Sequence, residues 1–164
     1  MVNDKSKEHK ILIFSQFTSG LKKVEKMLNE EKIKYFYIDG SVNAKSRLNM
    51  VNEFNANKSV RIFLISLKAG GTGLNLTSAD MVIHLDPWWN PSAEEQANDR
   101  AHRIGQQKEV EVIKLIAKGT IEEKIISLQE DKKNLINSVL TSELKESNVL
   151  DKLSSDELLR ILVD

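Results

Sequence analysis

The sequence predicts a single α/β domain whose core is a mostly parallel β-sheet of five or more strands flanked by helices. Short apolar segments rich in Ile, Val and Phe recur along the chain, and amphipathic segments with a helical period lie between them. This alternation is typical of βαβ units, in which a helix connects each strand to the next parallel one. The 164 residues, 40% of them hydrophobic, are enough for one core and too few for two.

Five segments are predicted to be strands. Each is short and rich in β-branched residues, which favours a strand over a buried helix. Several are apolar on both faces, as the central strands of a parallel sheet are. The predicted strands are residues 10–14, 34–38, 60–65, 81–85 and 110–116.

Two crossover helices are predicted between the first three strands, because apolar residues recur there on one helical face. These faces consist of Leu21, Val24, Met27 and Leu28 in the first helix and Leu48, Val51 and Phe54 in the second. A third helix is predicted to begin with Asn90 as N-cap and Pro91 at its first position, and to continue to about Arg103.

A long fourth helix is predicted to follow Gly119. It opens with Thr120 and Glu123 at the spacing of a capping box and carries an apolar stripe for roughly twenty residues. We expect residues 141–153 to form a linker and residues 154–164 a short terminal helix. The predicted domain organisation is therefore a globular lobe over residues 1–118 and a helical extension over residues 119–164.

Composition excludes several classes of site. Cysteine is absent and the three histidines are scattered, so neither a zinc site nor a thiolate nucleophile is expected, and the sequence predicts no bound metal. Lys plus Arg equals Asp plus Glu at 24 each, so any nucleic-acid surface must be local. No apolar run approaches the roughly 18 to 20 residues that span a bilayer, so we expect a soluble, intracellular protein without a membrane partner.

A glycine-rich loop follows the third predicted strand, over residues 66–76. Gly70, Gly71 and Gly73 allow backbone N–H groups to approach an anion closely, and Lys68 and Thr72 add donors. The loop lacks the Gly-Lys-Ser/Thr sequence of a Walker A motif, and no helix is indicated there. It is either a phosphate-binding loop or a turn at a sheet edge.

Basic residues of the third helix form a second candidate site. On a helix, Gln96, Arg100 and Arg103 share one face, where the two guanidinium groups can converge on one polyanion. The alternative is that the arginines are solvated or paired with neighbouring acidic residues. A third candidate, Asp86 after the fourth strand, is not a Walker B aspartate because Pro87 occupies the position of the catalytic glutamate. Of the two tryptophans that follow, at least one is expected to pack in the core.

Taken together, these segments resemble the C-terminal lobe of Swi/Snf-family ATPases in helicase superfamily two. The matching segments, in the family's order, are residues 11–17, 39–41 with Arg47, 70–76, 86–91, 96–106 and 119–125. The resemblance implies a RecA-like fold with the long fourth helix as a C-terminal brace. It also implies that ATP and Mg²⁺ bind in a cleft against a first RecA-like lobe, which supplies most of their ligands.

The resemblance implies two groups of site residues. Arg100 and Arg103, supported by Gln96, are expected to act catalytically on the triphosphate, and Gly73 and Asn75 to bind ATP with them. Contacts to the backbone of double-stranded DNA are expected from Ser15, Gln16, Arg47, Lys68, Gly71, Thr72 and Trp89. Because this chain lacks the Walker motifs, we expect negligible ATP hydrolysis by it alone.

Partners and location follow from the same resemblance. We expect the chain to be monomeric, to bind double-stranded DNA and to work with the first lobe of the same protein. The expected location is the cytoplasm, on the nucleoid, for a bacterial source and the nucleus for a eukaryotic one. Two other classes remain open: a binding module without an ATP cycle, and a small enzyme acting on a phosphorylated metabolite.

Overall fold

A computed structural model of the chain describes residues 5–6, 8–70, 73–102, 106 and 108–143. Within these ranges the elements alternate as the sequence predicts. The strands are β1 (Ile11–Ser15), β2 (Tyr35–Ile38), β3 (Ile62–Ser66), β4 (Met81–His84) and β5 (Glu111–Lys114). The helices are α1 (Thr18–Glu30), α2 (Ala44–Ala56), α3 (Leu67–Gly70), α4 (Pro91–Asn98) and α5 (Ile121–Glu143).

The five strands form one sheet in the order β2-β3-β1-β4-β5, and every neighbouring pair is parallel. In the centre of the sheet, Ile11 lies in register between Ile62 of β3 and Met81 of β4. This arrangement confirms the predicted α/β class with a parallel sheet. Because all strands run the same way, the loops that follow them emerge at one edge.

The core lies on both faces of the sheet, which explains why the central strands are apolar throughout. On one face Leu12 and Phe14 join Phe54 of α2 and Phe63 of β3 in a buried cluster. On the other, Ile11 and Ile13 pack with a second set of buried residues that includes Leu21 of α1. β5 lies at the edge of the sheet, and its Val112 is partly exposed.

The predicted helical faces differ from the observed ones at their margins. Leu21 and Leu28 of α1 are buried, as are Val51 and Phe54 of α2. Met27 and Leu48, however, are each 60% exposed. The helical period of a sequence identifies an apolar stripe. How many residues of that stripe the sheet buries depends on the orientation in which the helix packs against the sheet. A single turn, α3, also begins directly after β3, where the sequence indicated no helix.

The start of α4 is confirmed, and its end is not. Asn90 caps the helix by accepting a hydrogen bond from the Ser92 N–H, and Pro91 is the first helical residue. The helix ends at Asn98 rather than near Arg103. There the Arg100 and Ala101 N–H groups bond to carbonyls three residues earlier, which tightens the chain into turns.

α5 begins as its predicted capping signal indicates. Gly119, in a left-handed conformation with φ of 76°, leads into the helix, and the Thr120 hydroxyl accepts from the Glu122 N–H. The Glu123 carboxylate accepts from the Gly119 N–H instead of closing the box on Thr120. By its internal contacts the chain divides into two compact units, Met1–Ile125 and Ile126–Asp164. Of the linker expected over residues 141–153, residues 141–143 belong to α5 instead. The remainder of that linker and the helix expected over residues 154–164 lie outside the described residues.

Candidate functional site

The loops after β1 and β4 are joined at the carboxyl edge of the sheet by Asp86. Its buried carboxylate accepts a hydrogen bond from the Ser15 hydroxyl and, at 2.9 Å, another from the Gln16 N–H. The Gln16 side chain in turn donates to the Pro87 carbonyl at 3.4 Å. Asp86 thus holds the loops after β1 and β4 together, a structural role that differs from that of a Walker B aspartate.

Ser15, which is expected from the resemblance to lie along the DNA backbone, is fully buried. Its hydroxyl donates to Asp86 and accepts from the Phe17 N–H at 3.0 Å. Both hydrogen bonds are made within the lobe, because Ser15 is the last residue of β1 and is buried like the rest of that strand. Ser15 therefore shapes this edge, and the neighbouring residues present their side chains to solvent.

The exposed side chains at this edge include one cation and two aromatic rings. Lys68 projects from α3, and Trp89 follows β4 with 53% of its surface exposed. Phe17, 57% exposed just before α1, follows β1, which lies between β3 and β4 in the sheet. It was not among the predicted site residues. The signal was available, since an aromatic residue that falls between the end of a β-strand and the start of a helix belongs to the apolar face of neither. The surface combines a cation with two aromatic rings.

Arg47 lies in the first turn of α2, which follows the carboxyl end of β2 at the same edge of the sheet. Its Nε donates to the Val42 carbonyl at 3.0 Å, and its Nη2 to the Asp39 carbonyl at 3.5 Å. The Asp39 carboxylate accepts from the Ser41 hydroxyl and N–H, and these bonds, the hydroxyl first, hold the pKa of Asp39 below its ordinary value. Arg47 therefore braces the turn after β2 and remains partly exposed.

The described part of the glycine-rich loop after α3 begins at Gly73 and leads to β4. Gly73 has a φ of 68°, a conformation that side-chain-bearing residues rarely adopt. The Asn75 carbonyl accepts from the Asn55 side chain at 2.8 Å, and the Leu76 N–H donates to the Arg100 carbonyl at 2.9 Å. The structure therefore joins this loop to the segment after α4. Gly71 and Thr72 lie outside the described residues.

Gln96 and Arg100 do not share one helical face, because α4 ends between them. Gln96 is exposed on the helix, whereas Arg100 lies in the following turns and is only 8% exposed. Arg103 lies outside the described residues. The prediction of one continuous arginine-bearing helix is therefore wrong in its extent, since i, i+3 and i, i+4 neighbours face together only while the helix continues.

A buried polar cluster beneath α4 was not predicted from the sequence. Glu94 accepts from the Trp88 N–H at 2.7 Å and pairs with Lys114 of β5. His84, the last residue of β4, donates from Nε2 to the Asn98 side-chain oxygen at 2.8 Å. Burial lowers the pKa of His84, so the ring is neutral at neutral pH. A histidine ending an otherwise apolar strand was the one signal, because such a residue needs a buried partner.

The described residues fit a triphosphate only in part. The Gly73 loop and the Arg100 segment are of the type that binds phosphate, through backbone N–H groups and a guanidinium. Within the described ranges, however, no group of three or more His, Asp or Glu side chains is arranged to hold a metal ion. Nor is any helix there long and apolar enough to cross a membrane.

The family model of the helicase conserved C-terminal domain matches residues 1–105. An ATP-dependent helicase of Mycoplasma pneumoniae is 44% identical over 154 residues, which are 94% of this chain and 15% of that protein. The chromatin-remodelling ATPase INO80 of Mus musculus is 41% identical, over 93% of this chain and 10% of that protein. Among solved structures, the C-terminal part of the Fun30 ATPase domain is 43% identical with a TM-score of 0.73, covering 79% of this chain and 41% of that one.

The fold and the matched residues therefore define a RecA-like lobe of helicase type. The chain belongs to the helicase C-terminal domain family, among the Swi/Snf-family ATP-dependent helicases and chromatin remodellers. This confirms the family resemblance and the RecA-like fold. The chain spans 10% to 15% of the length of these curated relatives.

Proposed function

We propose that this chain is the second motor lobe of an ATP-driven translocase that moves along double-stranded DNA. The lobe contributes arginine side chains to an ATP site shared with a first RecA-like lobe, and it grips the DNA backbone through the carboxyl edge of its sheet. We call this chain joined to that first lobe the two-lobed protein. Such a protein works on the DNA of the nucleoid or of the nucleus.

The observation that carries the proposal is the hydrogen bond between the Leu76 N–H and the Arg100 carbonyl. It brings the glycine-rich loop of Gly73 and Asn75 to the segment that carries Arg100 and continues to Arg103. These two features come from distant parts of the chain, and both are suited to phosphate. Their meeting supports one shared role in binding the triphosphate, with Gln96 on the adjoining helix.

The chemistry of this lobe in hydrolysis is electrostatic. As the γ-phosphoryl group passes from ADP to water, negative charge develops on its oxygens, and an arginine placed there typically raises the rate about 10³- to 10⁵-fold. Magnesium, when bound, neutralises charge on the β- and γ-phosphates. Among the described residues, no three or more His, Asp or Glu side chains are grouped so that they could hold the ion, and we assign its ligands to the first lobe.

The DNA contacts are proposed for the exposed residues at the carboxyl edge. Lys68 offers a cation for phosphate, Trp89 an aromatic surface for the sugar edge, and Gln16 and Arg47 add donors. Gly71 and Thr72 are proposed to extend the same contact through backbone and hydroxyl donors. Backbone contacts of this kind position a motor on DNA without reading its sequence.

The test is steady-state ATP hydrolysis by the two-lobed protein, with and without duplex DNA. Arg103→Ala is expected to lower DNA-stimulated turnover at least about 10³-fold, and Arg103→Lys to restore little because a point charge does not reproduce the guanidinium fork. Lys58→Ala is the control, because Lys58 is an exposed cation that precedes β3 and so lies at the amino edge of the sheet, opposite the loops proposed to contact DNA. DNA-stimulated turnover that survives Arg103→Ala would contradict the arginine role. A two-lobed protein that binds duplex DNA without hydrolysing ATP would favour a binding module without an ATP cycle.

A further inference from the structure

The segment that carries Arg100 begins where α4 ends, at Asn98. The Asn98 backbone carbonyl accepts from the N–H groups of both Ala101 and His102, at 3.0 and 2.9 Å. The direction of the chain just after the helix therefore depends on the position of Asn98 and on the orientation of its carbonyl group. Any group that fixes Asn98 also fixes the starting point of the arginine-bearing segment.

One such group is His84, at the carboxyl end of β4. It is fully buried, its ring stacks on Phe14 with centroids 5.7 Å apart, and its Nε2 donates to the Asn98 side chain at 2.8 Å. Among the described residues, the other ring nitrogen has no hydrogen-bond partner. The Asn98 contact is therefore the specific polar link that the ring makes, and it connects a rigid central strand to the end of α4.

Two further contacts hold the same region. At the start of α4, Glu94 is bonded to the Trp88 N–H and paired with Lys114 of β5. Beyond Asn98, the Gln106 side chain donates to the Ala101 carbonyl at 3.2 Å and to the Ala79 carbonyl at 2.7 Å. The helix is thus anchored to the sheet near both ends, by Glu94 near its start and by His84 at its end.

We infer that His84 and Asn98 form a positioning pair, which fixes the end of α4 against β4 and so aims the arginine-bearing segment at the triphosphate. The inference rests on the proposed function of that segment. Neither residue touches nucleotide or DNA in this role. A rigid buried link is suited to it because small misplacements of a catalytic group lower turnover steeply.

The experiment measures DNA-stimulated ATP hydrolysis by the two-lobed protein carrying His84→Phe, Asn98→Leu or both. Asn98→Leu keeps the branching and the number of side-chain heavy atoms, His84→Phe keeps a buried aromatic ring, and each change removes one hydrogen-bonding partner. We expect kcat to fall about 10- to 100-fold, because the arginines are displaced while the nucleotide cradle of the first lobe remains. KM for ATP and affinity for DNA are expected to stay within about threefold, which separates positioning from binding.

Coupling and rescue separate this role from a general structural one. If the two residues act through their mutual bond, the double variant loses no more than the worse single variant. His84→Gln, which keeps an amide donor for Asn98, is expected to retain most of the activity. Glu95→Ala is the control on α4, because Glu95 is exposed and makes no side-chain contact in the cluster.

Hydrogen–deuterium exchange of the peptide spanning residues 96–106 provides a readout that does not depend on catalysis. We expect faster exchange in His84→Phe and Asn98→Leu and unchanged exchange in Glu95→Ala. Unchanged exchange in His84→Phe and Asn98→Leu would overturn this inference. So would an unchanged kcat in these variants when Arg103→Ala inactivates the enzyme. Neither result would affect the proposed function. Turnover that ignores Arg103→Ala would instead overturn the proposed function, and the positioning role with it.

Discussion

Glu94 lies in the interior of the lobe, where a carboxylate is stable only when it is paired. Its residue surface is 1% exposed, and its partner Lys114 is partly covered. Glu94→Ala removes the carboxylate that pairs with that ammonium group and that accepts from the Trp88 N–H. We expect the free energy of unfolding to fall by about 3 kcal/mol, at the lower end for a broken buried pair.

Urea unfolding of the chain measures this loss, and a surface pair provides the control. Lys26 and Glu30 lie one helical turn apart at 3.9 Å, with both side chains mostly exposed. Lys26→Ala is expected to cost less than about 0.5 kcal/mol, because exposed pairs are screened by water and salt. Equal losses in the two variants would show that the Glu94–Lys114 pair contributes nothing beyond a surface interaction.

His84 makes stability depend on pH. Burial is the main cause that lowers its pKa below the ordinary value of 6.5, opposed by the Asn98 bond and by the charges of Glu94 and Asp86, while Lys114 adds to the lowering. Below pH 6.5 the unfolded chain takes up a proton there that the folded chain binds less readily. Stability is therefore retained above pH 6.5 and falls as the pH decreases towards the folded-state pKa.

The size of this effect is at most about 1.4 kcal/mol per pH unit for one group. The measurement is urea unfolding of wild-type and His84→Phe proteins between pH 7.5 and 5.5. Phe does not titrate, so the loss of stability over this range should be smaller in the variant. Parallel pH profiles for the two proteins would contradict the assignment.

At the scale of elements, the N-cap of α2 shows how local sequence determines a helix start. Asn43 accepts from the Ser46 N–H at 2.9 Å, as an N-cap side chain does. Asn43→Ala is expected to lower the free energy of unfolding by about 1 kcal/mol, and Asn43→Gly by only a few tenths. Chemical denaturation distinguishes the two, and a larger loss for glycine would contradict a capping role.

Strand and helix starts were predictable because their signals are local. The five predicted strands agree with the observed ones to within two residues at each end. In a βαβ pattern, a short apolar run between two amphipathic helices is nearly always a strand. Asn90 and Pro91 likewise predicted the start of α4. Its end was not predictable, because the turns after Asn98 depend on bonds from distant residues such as Leu76.

The candidate site was predictable in part for the same reason. Recognisable segments pointed to Lys68, Trp89 and the arginine segment. Burial is a property of the packed molecule, so the sequence could not show that Ser15 and Arg100 are covered while Phe17 is exposed. The His84–Asn98 link also joins residues fourteen positions apart across a strand–helix connection, and no helical or strand spacing predicts it.

At the scale of the whole molecule, zero net charge makes DNA binding depend on a local surface. Lys68→Ala in the two-lobed protein is expected to weaken DNA binding about equally for different sequences. It should also reduce the slope of log affinity against log salt concentration by about 0.9, as the loss of one phosphate contact does. Fluorescence anisotropy over a salt series measures both, and Lys58→Ala should change neither.

The central claim is that this lobe is half of a DNA-dependent motor. The most direct measurement is ATP hydrolysis by the chain alone and by the two-lobed protein, each with and without duplex DNA. We predict no turnover above background for the chain alone and DNA-stimulated turnover for the two-lobed protein. Hydrolysis by the chain alone, or a two-lobed protein that ignores DNA, would contradict the account.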